Sequence, residues 1–111
     1  MVDGNEYAKT PLMAAVVGGH AEVVKFLITR KAIVNLADPC NGLTFLHHVS
    51  VNGNVPMIEL LMSKGANHDA RSKVGMTPLH MAAMKGHEEA MACLLDHGAD
   101  INAADKKAIL L

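Results

Sequence analysis

Short apolar blocks alternate with polar turns along the whole chain. The two longest unbroken apolar runs have six residues each, at positions 12–17 and 90–95. A helix that crosses a bilayer needs roughly 18 to 20 apolar residues. Other apolar side chains recur at helical spacing, as at Val23, Val24, Leu27 and Ile28. The pattern therefore predicts short helices that each bury one face, and it predicts no membrane span.

These blocks belong to an internal repeat. Aligning Thr10, Thr44 and Thr77 brings the segments TPLMAA, TFLHHV and TPLHMA into register, at spacings of 34 and 33 residues. A glycine followed by His or Asn aligns next in every copy, and a second apolar block follows it: VVKFLI, MIELLM and AMACLL. Self-similarity at such a period is typical of proteins that stack repeated units.

Each copy predicts a helix, a turn, a second helix and a loop. The threonine can cap the first helix, and proline is tolerated in its first turn because the missing N–H costs little there. We expect this helix to run for about nine residues and to end at the aligned glycine. The second helices are predicted at about 21–30, 55–63 and 88–96. The turn-rich segments 31–43, 64–76 and 97–109 should project as fingers.

The order of these positions (Thr, Pro, Leu, His, Ala, Gly-His, Leu-Leu, Gly-Ala and Asn) resembles the ankyrin repeat, whose unit has about 33 residues and a T-P-L-H-x-A signature. The resemblance covers residues 3–107 and is fullest in residues 72–103. Local departures are Met13, Phe45, Val49 and Asn54, where the family prefers His, Pro, Ala and His. The resemblance implies an all-α ankyrin-repeat solenoid of stacked helix-turn-helix units with projecting hairpin-like fingers.

This family likeness divides the chain into one domain, residues 1–111, with repeats at about 5–37, 38–71 and 72–104. Three repeats are at the lower limit for a solenoid, in which each unit contacts only its neighbours. Residues 105–111 are expected to be a partial fourth repeat or a C-terminal cap. Three interpretations stay open. The chain is part of a longer array with further ankyrin repeats, a partner closes the last helix pair, or the chain's own tail folds over that pair.

Composition and charge narrow the classes of partner and compartment. Half of the residues are apolar but only 3% are aromatic, and eight are Met, which favours closely packed thin helices. Ten basic and eleven acidic side chains give a net charge of -1, so no long-range field favours nucleic acid or an anionic membrane. The polar N-terminus does not resemble a secretory signal. Cys40 and Cys93 are too few for a disulfide framework, so we expect an intracellular, cytoplasmic protein, with the nucleus as an option.

Seven histidines suggest metal or catalytic chemistry, but the repeat explains most of them. His47 and His80 occupy the T-P-L-H position, where an imidazole can hydrogen-bond back to the preceding turn. His20 and His87 close the turn between helices. The pair that begins at His87 starts like the zinc motif H-E-x-x-H, but position 91 is Met91, so the second ligand is absent. Since no catalytic set, metal site or phosphate loop is readable, we expect a non-catalytic protein without cofactor or metal.

Binding is the remaining class of function. The resemblance implies that finger tips and the concave face of the first helices hold a protein or peptide with apolar anchors. The residues expected there are Tyr7, Val17, Leu43, His48, Val51, Asn52, Lys73, Met76, Met81, Met84 and Lys85, with Glu6, Lys9, Cys40, Asn41 and Val74 beside them. Two aligned rows, Tyr7–Leu43–Met76 and Val17–Val51–Met84, should form an apolar groove with basic rims. The alternative is that Met81 and Val51 only pack between helices.

The sequence leaves two further functions open. The chain could be a targeting or regulatory ankyrin domain of a larger enzyme or signalling protein, because a fold alone does not fix function. Asn102, with Leu94 eight residues earlier and Asp100 and Ile101 directly before it, resembles the finger asparagine that oxygen-sensing asparaginyl hydroxylases modify. Asn35 matches that pattern less fully. The competing interpretation of Asn102 is a local turn residue that hydrogen-bonds its own backbone.

Overall fold

Six short helices in three consecutive pairs form the described part of the chain. The computed structural model describes residues 10–30 and 32–104. Its helices are α1 (Pro11–Gly18), α2 (Ala21–Thr29), α3 (Phe45–Val51), α4 (Val55–Ser63), α5 (Pro78–Met84) and α6 (Glu88–Asp96). Within these residues, β-type pairing is limited to one antiparallel bridge between Ala37 and Thr44. The all-α prediction is confirmed, although the first helix of each pair has seven or eight residues instead of nine.

The predicted threonine caps begin each first helix. The side chains of Thr10, Thr44 and Thr77 each accept a hydrogen bond from the backbone N–H three residues later. In α3 and α5 that third residue is His47 or His80, and its Nδ1 accepts the threonine's own backbone N–H at 3.0 Å. The two bonds form a reciprocal capping box. The expectation that these histidines hydrogen-bond back to the turn is therefore confirmed.

The helices form two layers. Helices α1, α3 and α5 pack side by side, as do α2, α4 and α6, and each first helix packs on its own second helix. Aliphatic side chains and Met fill the space between the layers, with Phe45 as the one buried aromatic of the described residues. Cys93 is also buried, and burial raises the pKa of its thiol. The arrangement is the stacked solenoid that the repeat predicts.

Side-chain hydrogen bonds to the backbone join the second helix pair to the third. His47 Nε2 donates to the Met76 carbonyl at 2.8 Å, and His87 Nε2 donates to the Val51 carbonyl at 3.1 Å. Asn54 occupies in α4 the position that His87 occupies in α6, but its side chain accepts from a backbone N–H of its own helix. Asn54 therefore makes its hydrogen bond within one repeat, whereas His87 makes one between two repeats.

Two sets of sequence predictions lie outside the described residues. Tyr7, with Glu6 and Lys9 beside it, precedes residue 10, so the expected first member of the row Tyr7–Leu43–Met76 has no structural description. Residues 105–111, expected to be a partial repeat or a cap, follow the last described residue. The repeat boundaries and these terminal segments stay predictions.

Candidate functional site

An apolar groove lies where two neighbouring fingers meet helix α5. It has a volume of about 380 Å³. Its walls come from the finger before α3, from the finger before α5 and from one face of α5. The lining residues are Cys40, Asn41, Leu43, Ser72, Lys73, Val74, Met76, Met81 and Met84. Five of the eleven partner-binding residues predicted from the sequence are among them, and we call this set of nine residues the groove.

Local hydrogen bonds fix the two fingers that form the groove walls. The side chain of Asn41 accepts from the Leu43 N–H at 2.9 Å, so it closes a tight turn. In the next finger, Ser72 Oγ accepts hydrogen bonds from the N–H groups of Val74 and Met76, at 3.3 and 3.2 Å. The Lys73 N–H then donates to the Asn41 carbonyl at 2.9 Å and ties one finger to the other. Hydrogen bonds to backbone groups therefore hold the groove walls in place, in addition to side-chain packing.

A glycine permits this close approach of the two fingers. Gly42 has φ +75°, in the left-handed region that side chains disfavour. A Cβ at this position would lie 2.9 Å from the backbone nitrogen of Lys73. Any residue with a side chain would therefore both strain the turn and push the fingers apart. The sequence predicts that Gly42 lies in a finger. The structure shows why this position needs glycine, because the backbone of the neighbouring finger lies against it.

The groove surface is apolar with one cationic edge. Met84 is 64% exposed and Val74 is 54% exposed, whereas Leu43, Met76 and Met81 are half-buried. Exposed apolar side chains that lie together are the feature that marks interaction surfaces. Lys73 is exposed at the edge, and none of the described residues that line the groove is acidic. The groove can therefore take an apolar side chain and pair an adjacent carboxylate with the Lys73 ammonium.

The other predicted partner-binding residues do not line this groove. Val17, at the end of α1, is 72% exposed and stands apart from the groove. Val51 is half-buried, and its carbonyl is already bonded to the next repeat. Asn52 and Lys85 are exposed in the turns that follow α3 and α5. The row Val17–Val51–Met84 is therefore placed along the first helices, but only its last member reaches the groove.

His48 is the remaining predicted residue, and it lies half-buried on α3. Burial lowers the pKa of its imidazole from the ordinary value of 6.5, and the carboxylate of Asp38 partly opposes that shift. Burial therefore disfavours the charged form of His48 on this surface. No group of three or more potential metal-binding side chains occurs among the described residues.

The two finger asparagines singled out in the sequence differ in their contacts. Asn35 bridges two fingers, because its Nδ2 donates to the Gly65 carbonyl at 3.0 Å and its Oδ1 accepts from the Asn67 N–H at 2.8 Å. Asn102 is exposed, and its backbone N–H donates to Asp100 Oδ1 at 2.9 Å. Its side-chain amide has no hydrogen-bond partner among residues 10–30 and 32–104. Of the two, Asn102 is the asparagine whose amide is available.

Sequence reasoning missed a second group of exposed apolar residues. Val23, Phe26, Ile33 and Ile101 are each about half exposed or more, at 48, 56, 65 and 67%. None of them lines the groove. The repeat alignment contained part of the signal, since Val23 and Phe26 align with helix positions that face a neighbouring repeat in α4 and α6. None of the described helices is long and apolar enough to cross a membrane.

Comparison with protein families assigns the fold. A family model described as ankyrin repeats in three copies matches residues 30–105, which is more than half of the chain, and an ankyrin-repeat model matches residues 8–39. The chain belongs to the ankyrin-repeat family. Both models cover the helix pairs and fingers described above. This assigns the groove to an ankyrin-repeat protein, a class of protein–protein interaction module that is typically non-catalytic.

Several curated ankyrin-repeat relatives are similar to this chain. Mouse protein phosphatase 1 regulatory subunit 27 is 34% identical over 79% of the chain, and a putative ankyrin repeat protein of Rickettsia felis is 34% identical over 91%. The Arabidopsis thaliana E3 ubiquitin-protein ligase KEG is 31% identical over 76%. The chain spans 56, 33 and 5% of the lengths of these three relatives. What is similar is thus the ankyrin-repeat part of longer proteins.

Proposed function

We propose that this ankyrin-repeat chain is a non-catalytic module that binds a protein or peptide segment through the groove. The observation that carries the proposal is the convergence of five apolar side chains beside one lysine, with no acidic group among the described lining residues. Those side chains are Leu43, Val74, Met76, Met81 and Met84. The partner expected from this chemistry has an apolar anchor residue with a carboxylate close to it.

Three of the five apolar side chains in the groove are methionines, which suits the proposed contact. Met has an unbranched, polarisable side chain that adjusts to irregular partners. Burying apolar surface contributes roughly 25 cal/mol for each Å² removed from water. Tight interfaces usually depend on Trp, Tyr or Arg, and none of these is among the nine described residues of the groove. We therefore expect modest affinities, with Kd on the order of 1 to 100 µM.

The experiment selects short peptides from a random display library on the wild-type protein and measures their Kd by fluorescence polarisation. Met76→Asp and Met84→Asp should each weaken binding at least tenfold, because each replaces apolar surface that contacts the anchor residue with a charged carboxylate. Ile33→Asp is the matched control, since Ile33 is 65% exposed but lies outside the groove. Enriched peptides should combine apolar and acidic residues. Unchanged affinity in both groove variants would refute the assignment.

A second candidate is the regulatory or targeting part of a larger protein. The relatives support it, because their names include a phosphatase regulatory subunit and a ubiquitin ligase, and the chain matches only 5 to 56% of their lengths. In this candidate the groove binds the same class of partner but directs an activity that another domain supplies. Sequencing the complete transcript tests it: a reading frame that encodes a further domain supports this candidate, and one limited to these repeats contradicts it.

Asn102 is a third candidate, as a substrate of asparaginyl hydroxylation. The observation that favours it is the exposed Asn102 side-chain amide, in contrast to the doubly bonded amide of Asn35. Intact mass analysis after incubation with an asparaginyl hydroxylase should show the gain of one oxygen atom. Asn102→Ala should abolish the gain, whereas Asn35→Ala should leave it. A wild-type mass that does not change would reject this candidate.

A further inference from the structure

The last helix pair exposes positions that the first two pairs bury. Three positions on each pair face the pair that follows, and we call this surface of α5 and α6 the C-terminal face. The aligned residues are Met13, His47 and His80; Val16, Ser50 and Ala83; and Val24, Ile58 and Met91. The members from the first two pairs are at most 5% exposed. Ala83 is exposed, and His80 and Met91 are half-buried.

The first helix pair shows the complementary difference. Two positions on each second helix face the pair that precedes it, and we call this surface of α1 and α2 the N-terminal face. The aligned residues are Val23, Met57 and Ala90, and Phe26, Leu60 and Cys93. The four members in α4 and α6 are at most 8% exposed, whereas Val23 and Phe26 are 48 and 56% exposed. Each end of the described stack therefore presents one half of an inter-repeat interface.

Within the described part of the chain, polar groups on the C-terminal face also lack the inter-repeat hydrogen bonds that their equivalents in earlier repeats make. His80 keeps the capping box of His47, with Nδ1 accepting from the Thr77 N–H. His47 Nε2 reaches a carbonyl of the next repeat, but His80 Nε2 has no hydrogen-bond partner within the described ranges. Asn102 likewise lacks the finger-to-finger bonds that Asn35 makes. The face is thus arranged to receive a repeat, whereas a capping repeat needs a polar outer surface.

The two faces also carry side chains of opposite charge. On the N-terminal face, the guanidinium of Arg30 lies 5.0 Å from the centre of the Phe26 ring. On the C-terminal face, Asp100 and Ile101 line a shallow cavity of about 110 Å³ together with Met91. The N-terminal face thus carries a cation beside an exposed aromatic ring, and the C-terminal face carries a carboxylate beside an apolar cavity. Such pairing steers association and fixes the orientation of the partner.

We propose that these faces bind each other between two copies of the chain, so that α5 and α6 of one copy stack on α1 and α2 of the next. The contact is head to tail, and each copy keeps one unused face, so association does not stop at a dimer. The row of Val17, Val51 and Met84 would then continue from copy to copy along the stack. This inference concerns the ends of the stack and does not depend on the proposed peptide site.

Sedimentation equilibrium of the full chain tests the proposal. One repeat face is small for a protein interface, so we scan concentrations from about 10 µM to 1 mM. The weight-average mass should rise from the monomer value of 11.8 kDa and pass twice that value without a plateau. A constant mass across this range would overturn the proposal.

Two variants test whether the contact joins different faces. Phe26→Glu should block the N-terminal face and Ile101→Glu the C-terminal face, so each variant alone should stay monomeric. Mixed in equal amounts, they should form dimers, because one variant keeps the C-terminal face that the other lacks. Association that survives either change, or a mixture that stays monomeric, would overturn the proposal.

Controls separate these effects from misfolding and from added charge. Val74→Glu is matched to Ile101→Glu, because Val74 is 54% exposed but lies in the groove, and it should associate like the wild type. Circular dichroism of each variant checks that the helices remain. If Phe26→Glu does not fold, Val23→Glu on the same face replaces it and must give the same result.

Discussion

Acid should destabilise this protein through His47. The imidazole is fully buried on α3. Its Nδ1 must accept, because the Thr44 N–H at 3.0 Å can only donate, and its Nε2 must carry the proton, because the Met76 carbonyl at 2.8 Å can only accept. Both ring nitrogens are therefore committed to the neutral form. Protonation would place a second N–H against the Thr44 N–H and leave a charge in the core.

The sign and the upper limit of the effect follow from these contacts. Burial lowers the pKa of folded His47 below the ordinary value of 6.5, and the Met76 hydrogen bond only partly opposes this. The unfolded chain thus binds the proton more readily. The stability that neutral His47 contributes is therefore fully present above pH 6.5 and is lost as the pH falls below that value. At a pH one unit below 6.5, the loss of unfolding free energy from one such group is at most about 1.4 kcal/mol. His48 adds a smaller loss of the same sign, because it is only half-buried.

The assay is urea unfolding followed by circular dichroism at pH 7.5, 6.5 and 5.5. His47→Met should lower the free energy of unfolding at pH 7.5 by about 1 to 2 kcal/mol, because one inter-repeat hydrogen bond is lost and the Thr44 N–H is left unpaired. The substitution should also reduce the pH dependence of the free energy of unfolding. Methionine fits this position, since Met13 is 5% exposed at the equivalent site in α1. A His47→Met variant with the full wild-type pH dependence would refute the reasoning.

Two further predictions use matched residues in different repeats. Gly42→Ala should lower the free energy of unfolding by at least about 2 kcal/mol, whereas Gly65→Ala, which has φ +93° but open space around a Cβ, should lose only about 1 kcal/mol from backbone strain. Equal losses in urea unfolding would contradict the proposed clash with Lys73. Asn35→Ala should cost about 1 to 3 kcal/mol through its two lost finger bonds, and Asn102→Ala less than about 0.5 kcal/mol. Thermal unfolding of both variants checks this, and a larger loss for Asn102→Ala would contradict it.

Much of the architecture could be predicted because its signals are local. A Thr-Pro cap, a glycine turn and helical spacing each act over a few residues, so the helix bounds differ from the prediction by only a few positions. The capping boxes of His47 and His80 were also readable, because each box closes within four residues. The candidate groove was partly readable, since the repeat register aligns Leu43 with Met76. Its boundary was not, because Val17 and Val51 share the pattern but lie outside it.

The sequence alone therefore determined the repeated unit: its caps, its turns and the side of each helix that is apolar. Tertiary structure decided which copy of a repeated position is buried. Phe26 and Leu60 occupy the same place in their repeats, yet only Leu60 is covered by a preceding helix pair. His47 and His80 share a capping box, yet only His47 Nε2 has a carbonyl opposite it among the described residues. The reason is that burial and hydrogen bonding between repeats depend on a neighbour about 33 residues away, which no local pattern supplies.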